Sequence, residues 1–232
     1  MKNYAFIFVR GGSKGLPRKN VKPLMGKPLL QYSIDTAKSC PFISKIFVST
    51  EDKQIAEFAA NQTGIEVIPR PTKLAMDNSP EWLAWQHAVN YVYEKHGEFN
   101  VFISLPATSP LRSVEDVEAS LMQLRKSQAD ICIGVTPANR SPYFNMVERT
   151  KNGLLELVCP PQNALTRRQD APEVFDITTA VYTTTPSYIL NQSGVMAGNV
   201  TSVIIPKNRA VDIDDIYDFY LAEAIIKANK NE

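Results

Sequence analysis

Tyr4-Ala5-Phe6-Ile7-Phe8-Val9 runs without a break into Arg10-Gly11-Gly12-Ser13-Lys14-Gly15-Leu16-Pro17-Arg18-Lys19-Asn20, and the reading of this stretch decides the fold. The apolar half has the length of one β-strand. The polar half is a glycine turn at the strand's carboxyl end, where ligands bind in open α/β sheets. Glycines let backbone N–H groups turn toward an anion, and Arg10, Lys14, Arg18 and Lys19 place four cations within ten residues. A triphosphate meets that charge. The plain alternative is a solvated basic turn, and its position directly after the first strand favours phosphate. Spacing excludes the two familiar phosphate loops: there is no GxGxxG, and GxxxxGK[ST] does not align on Gly11 or Gly12.

Outward from this stretch, short runs rich in β-branched and aromatic residues alternate with amphipathic segments, the pattern of a parallel sheet covered by helices. Strands are expected over 4–9, 45–49, 66–68, 101–105, 129–135, 179–183 and 200–205. Helices are expected over 28–38, 53–61, 81–94, around Val117, Leu121 and Leu124, over 186–191 and over 214–227. Between 137 and 175 the pattern is irregular; Pro142, Pro160 and Pro161 cluster there, and the alternating segments 144–148 and 154–158 suggest a hairpin in an inserted subdomain. The 232 residues thus suit a single α/β domain carrying that insertion.

Composition narrows the function. With 25 basic against 24 acidic side chains, no charge excess points to nucleic acid or a membrane surface. Cys40, Cys132 and Cys159 form neither a CxxC pair nor a ligand cluster, so a disulfide framework and a zinc site are not expected. No apolar run is long enough to span a bilayer, and the chain reads as cytoplasmic.

A second cluster, Asp212-Ile213-Asp214-Asp215, precedes the last helix. In an extended segment Asp212 and Asp214 point to one side and can face one hard cation such as Mg²⁺, with Asp215 pointing away or capping the helix. The simpler alternative is three acids at a helix N-terminus. Thr108-Ser109-Pro110-Leu111-Arg112 follows another strand at the carboxyl edge and offers hydroxyls and a guanidinium to a ribose or base, or merely opens the next helix. Asp77 precedes a helix and reads as an N-terminal cap or turn residue. His87 and His96 read as structural. No Ser/His/Asp or Cys/His constellation stands out, and a cationic loop with paired carboxylates suits displacement at phosphorus, where positioning and charge neutralisation do most of the work.

These residues resemble the acylneuraminate cytidylyltransferases, the CMP-sialic acid synthetases. The likeness lies in the 10–20 loop, Val48-Ser49-Thr50-Glu51-Asp52, Arg70-Pro71 with Leu74-Ala75-Met76-Asp77, Thr108 to Arg112, and Asp212-Ile213-Asp214, in family order along nearly the whole chain. The resemblance implies a Rossmann-like, three-layer nucleotide-diphospho-sugar transferase fold with a mostly parallel sheet, 137–175 being a dimerisation subdomain. It implies that the anomeric hydroxyl of a nine-carbon acidic sugar attacks the α-phosphorus of CTP, releasing pyrophosphate, with Mg²⁺ on the phosphates. Arg10, Lys14, Lys19 and Asp212 are then the expected catalytic groups. The nucleotide set is Arg10, Gly11, Gly12, Ser13, Lys14, Lys19, Asn20, Asp77, Thr108 and Ser109, and the metal pair Asp212 and Asp214. Arg168, brought in by a homodimer partner, would join Asp176, Thr178 and Thr179 around the sugar.

Two departures carry information. Pro106-Ala107 stand where the family often has Gln-Pro before Thr-Ser, removing a side-chain amide near the nucleotide. Asp176-Ile177-Thr178-Thr179 replace Arg-Pro-Asn-Gly, exchanging a cation and an amide for an acid and hydroxyls facing the sugar. That change disfavours N-acetylneuraminate and makes legionaminic acid the leading expectation, with pseudaminic acid next. The alternatives are a CMP-Kdo synthetase or other sugar nucleotidyltransferase and, from another class, a catalytically silent nucleotide-binding scaffold.

Overall fold

The computed structural model describes residues 1–12, 15–161, 165 and 167–230, the last without its side chain; Ser13 and Lys14 therefore lie outside the described residues. In chain order the elements are β1 (Asn3–Phe8), β2 (Pro23–Leu24), β3 (Lys27–Pro28), α1 (Leu29–Ser39), β4 (Lys45–Thr50), α2 (Lys53–Ala60) and β5 (Ile65–Pro69). There follow α3 (Glu81–His96), β6 (Val101–Ser104), α4 (Val114–Lys126), β7 (Ile131–Pro137), β8 (Val147–Arg149) and β9 (Leu155–Leu157). The chain closes with β10 (Phe175–Thr184), α5 (Pro186–Asn191), β11 (Val200–Ile204) and α6 (Ile216–Lys230).

Seven strands form one sheet in the order β11-β7-β10-β6-β1-β4-β5. All pairs are parallel except those of β10, which runs antiparallel between β6 and β7. The chain starts in the middle of the sheet, fills one side with β4 and β5, then crosses to β6 on the other side of β1. The carboxyl ends of β1 and β6 therefore border the crevice where the winding reverses, the position at which open α/β sheets bind ligands.

Residues of β1 alternate between two cores. Ala5 and Ile7 pack with Leu30 and Ile34 of α1, Ile55 of α2 and Leu121 of α4. Tyr4 and Phe6 pack with Trp85 and Val89 of α3 and Ile189 of α5. Both faces of the sheet are covered, which makes three layers. Phe6 stacks on Phe47 and Phe102, its neighbours across the sheet, with ring centroids 5.2 and 4.4 Å apart. Each such ring, wholly removed from water, contributes about 1.5–3 kcal/mol.

A third cluster decides where the site forms: Leu16 from the opening loop, Leu24 and Leu29 pack against Val211, Ile213 and Phe219. Two stretches about two hundred residues apart in sequence are thereby pressed together at the end of the sheet. The expected hairpin exists as β8–β9, a two-stranded sheet of its own. Strand 179–183 is longer than expected, beginning at Phe175, and its register slips between Ile177 and Tyr182. The last helix starts at Ile216 rather than Asp214 because Asp215 caps it: its Oδ1 accepts from the N–H groups of Tyr217 and Asp218 at 2.7 and 3.1 Å.

Candidate active site

The opening loop is fixed from several sides. Asn20 Nδ2 donates to the Arg10 carbonyl at 3.0 Å, closing the loop on itself. The Gly11 N–H donates to Glu51 Oε1 at 2.8 Å. A Cβ on Gly11 would overlap the Asp52 carboxylate, and one on Gly15 would overlap the Asp214 carbonyl oxygen, whereas Gly12 faces open space. Gly11 and Gly15 are thus glycine for close approach, while Gly12 leaves its backbone open to the cleft. Arg18 takes the left-handed conformation at φ 56°, and its guanidinium is committed to Asp52 and Gln54 at 2.8 and 2.6 Å.

Beyond this loop lies a cleft of about 310 Å³, walled by Arg10, Lys19, Asn20, the 74–79 segment and Thr108. Arg10 Nη1 donates to Asp77 Oδ1 at 2.7 Å across the cleft. Both groups are partly solvated, so the pair adds little stability and leaves the cation near the cleft.

The acidic segment meets the loop at Lys19. Its buried ammonium donates to the Ile213 carbonyl and, at 3.1 Å, to Asp214 Oδ1. The segment is held elsewhere by Arg209, which grips Asp116 at the start of α4 with bonds of 2.9 and 2.8 Å, and by the Ile213 N–H to the Thr108 carbonyl at 2.8 Å. Burial raises the Asp212 carboxyl above the usual aspartate range; the Thr108 hydroxyl lowers it, the Asp214 charge raises it, and Thr179 and Lys19 lower it further. Asp212 Oδ1 is buried without a hydrogen-bond partner.

That orphaned oxygen, beside a second carboxylate 78% exposed, fits a hard cation. Among the described residues no three His, Cys, Asp or Glu side chains gather to form a full protein cage. Mg²⁺ needs none, since it is held by one or two carboxylates and completes its shell with water and substrate phosphates.

The other expected residues divide. Thr179 lines the cleft, and its hydroxyl lies 2.6 Å from that of Ser109 and 3.3 Å from that of Thr108. Thr178 is buried, and its hydroxyl accepts from the Ala180 N–H at 3.3 Å. Arg168 donates to the Ala138 carbonyl at 2.9 Å, and neither it nor Asp176, which pairs with Thr136, lines the cleft of this single chain. Arg112 is an internal brace: it donates to Ser33, the Pro106 carbonyl and the Ser109 carbonyl, and burial pulls its guanidinium down to about 9.

Phe8, Arg70, Tyr182 and Glu81 are among the cleft residues that sequence reasoning gave no role. Phe8 ends β1, and Arg70 sits 5.9 Å from its ring centre while donating to the Val9 and Ser49 carbonyls. Tyr182 and Glu81 complete that wall. Arg70 stood inside a motif block, so a signal existed; Phe8 and Tyr182 read only as strand residues and Glu81 only as the first residue of a helix.

A family model described as cytidylyltransferase matches residues 4–196. "Post-translational flagellin modification protein B" of Campylobacter coli is 30% identical, over 95% of this chain and 93% of its own length. CMP-N,N'-diacetyllegionaminic acid synthase of Campylobacter jejuni is 31% identical over the same shares. Pseudaminic acid cytidylyltransferase of the same species is 26% identical over 99% and 98%. In fold, the chain resembles the solved structure of CMP:2-keto-3-deoxy-manno-octonic acid synthetase complexed with CTP. Its TM-score is 0.72 at 14% identity, over 99% of this chain and 100% of that one.

Proposed function

Because this chain belongs to the cytidylyltransferase family, we propose that it transfers CMP from CTP to the anomeric hydroxyl of a nine-carbon, sialic-acid-like sugar, with legionaminic acid the favoured substrate. The observation that carries the proposal is the bond from Lys19 to Asp214, which unites the cationic loop and the acidic pair at one cleft. Arg10 and Lys19, with Lys14, neutralise the triphosphate. Asn20 holds the loop in shape, and Asp77, Thr108 and Ser109 border the nucleotide. Asp212 and Asp214 hold Mg²⁺, whose contribution is to offset charge on the phosphate oxygens as pyrophosphate leaves.

The preference for legionaminic acid rests on the segment Asp176-Ile177-Thr178-Thr179, which replaces a cation and an amide and of which Thr179 reaches the cleft, and on the name of the 31% identical relative. Arg168 lies outside this chain's own cleft, in keeping with a homodimer in which each copy lends it to the other. No helix among the described residues is long and apolar enough to cross a membrane, and a cytoplasmic site of action is consistent with a CTP substrate.

The test is a substrate panel. With CTP and Mg²⁺, release of pyrophosphate is measured against N,N'-diacetyllegionaminic, pseudaminic, N-acetylneuraminic and Kdo acids, and CTP is replaced in turn by ATP, GTP and UTP. Legionaminate with CTP should give the highest kcat/KM. A clear preference for Kdo, for a sugar phosphate or for UTP would overturn the assignment.

A further inference from the structure

An acid in this cleft with no cation bonded to it is an anomaly. Both substrates are anions, and the loop and metal pair serve to neutralise them, yet Glu81, the first residue of α3, presents a carboxylate to the same cavity. We propose that Glu81 is the base that takes the proton from the sugar hydroxyl as that oxygen attacks the α-phosphorus.

A base must have one oxygen free, a fixed orientation and no cation clamped to it. Glu81 meets all three conditions. The indole N–H of Trp85, one helical turn on, donates to its Oε1 at 3.2 Å and orients the carboxylate. Trp85 is itself fixed against Phe102 and Tyr182, with ring centres 5.2 and 5.5 Å away. Among the described residues no donor is bonded to Oε2 and no Lys or Arg lies within ion-pair distance of the carboxylate. Asp77, the other acid lining the cleft, is held by Arg10, and Asp212 and Asp214 are the pair that would hold the metal.

Glu81 is open to the cleft water while the matter around it is mostly protein. The charged and titratable groups facing it are Arg70, after β5, Tyr182 on β10 and Asp212 before α6. Burial raises its pKa; the Trp85 bond and Arg70 lower it, and Asp212 raises it again. The net rise makes the carboxylate a better proton acceptor than an ordinary surface glutamate. Tyr182, pushed up to about 12 chiefly by burial, stays protonated and does not compete as a base.

The inference rests on the cytidylyl-transfer reading. In that step the sugar oxygen forms a bond to the α-phosphorus, and the bond from that phosphorus to the bridging oxygen breaks. Pyrophosphate departs with the electron pair, and the hydroxyl proton passes to Glu81 Oε2. Water in the cleft then carries the proton away.

Glu81→Gln tests it, since the amide oxygen can still accept from Trp85 while no proton acceptor remains on the cleft side. With CTP, Mg²⁺ and N,N'-diacetyllegionaminic acid, kcat should fall about a hundredfold or more. KM for CTP should stay within about threefold. The wild-type rate should decline on the acid side at a pH above the ordinary glutamate range, and that limb should vanish in the variant. A Gln variant with near-normal kcat, or one that keeps the acid limb, contradicts the role. If that variant does not fold by near-UV circular dichroism, Glu81→Asp replaces it: the displaced carboxylate should keep the acid limb and lose about tenfold or more in kcat, and an unchanged kcat is contrary. A wild type that makes no CMP-sugar from any acid in the panel overturns the transfer reading itself, and Glu81's role with it. A wild type that does so beside an equally active Gln variant overturns the inference alone.

Discussion

Gly15 lies so close to the acidic segment that any side chain would strike the carbonyl oxygen of Asp214. The obstacle is backbone, which has nowhere to swing. Gly15→Ala should therefore push the loop off the segment that Lys19 grips, costing about 1–3 kcal/mol in urea unfolding and raising KM for CTP by about tenfold. Gly12→Ala, with open space around it, should leave stability unchanged, and equal losses from the two substitutions would contradict the close-approach account. At this scale the sequence was only partly legible. The cations and paired acids stood out by type and spacing. That Gly11 and Gly15 serve packing did not, because a glycine's neighbours come from distant segments. Glu81 was hidden because an acid at a helix start is ordinarily explained by the helix dipole.

Among the elements, hydrophobic periodicity foretold the helices and the strands of the main sheet to within a few residues, because each buried face repeats at its own period. The direction of β10 was not legible, since alternation reads the same in a parallel or antiparallel strand and only the preceding excursion turns the chain around. The slip between Ile177 and Tyr182 was equally hidden, and Thr179, which lines the cleft, and Thr178, which is buried, lie within it. The β8–β9 hairpin leaves Leu154 and Leu155 70% and 62% exposed, and Met146 and Val147 at its other end are exposed too. Exposed apolar side chains of this kind are what the proposed homodimer would cover. Replacing both leucines, Leu154→Asp with Leu155→Asp, should convert a dimer into a monomer in sedimentation velocity while the far-ultraviolet spectrum is unchanged. An undiminished dimer mass would remove this hairpin from the interface.

Across the whole molecule, a chain with nearly balanced charge brings one local cluster of cations against an acidic segment from the far end of the sequence. The strand order opens a crevice beside β1, and the apolar contact of Leu16 with Ile213 brings the first loop and the segment before the last helix to its rim. Neither partner is near the other in sequence, so their meeting could be expected only from the chemistry each carried. The convergence is tested most directly by calorimetric titration of CTP with and without Mg²⁺, in the wild type and in Asp212→Ala. Mg²⁺ should tighten wild-type binding by about tenfold or more, on the order of 1.4 kcal/mol. Asp212→Ala should still bind CTP weakly through Arg10 and Lys19 but lose that gain. If the variant responds to Mg²⁺ as strongly as the wild type, the carboxylates and the loop do not share one nucleotide.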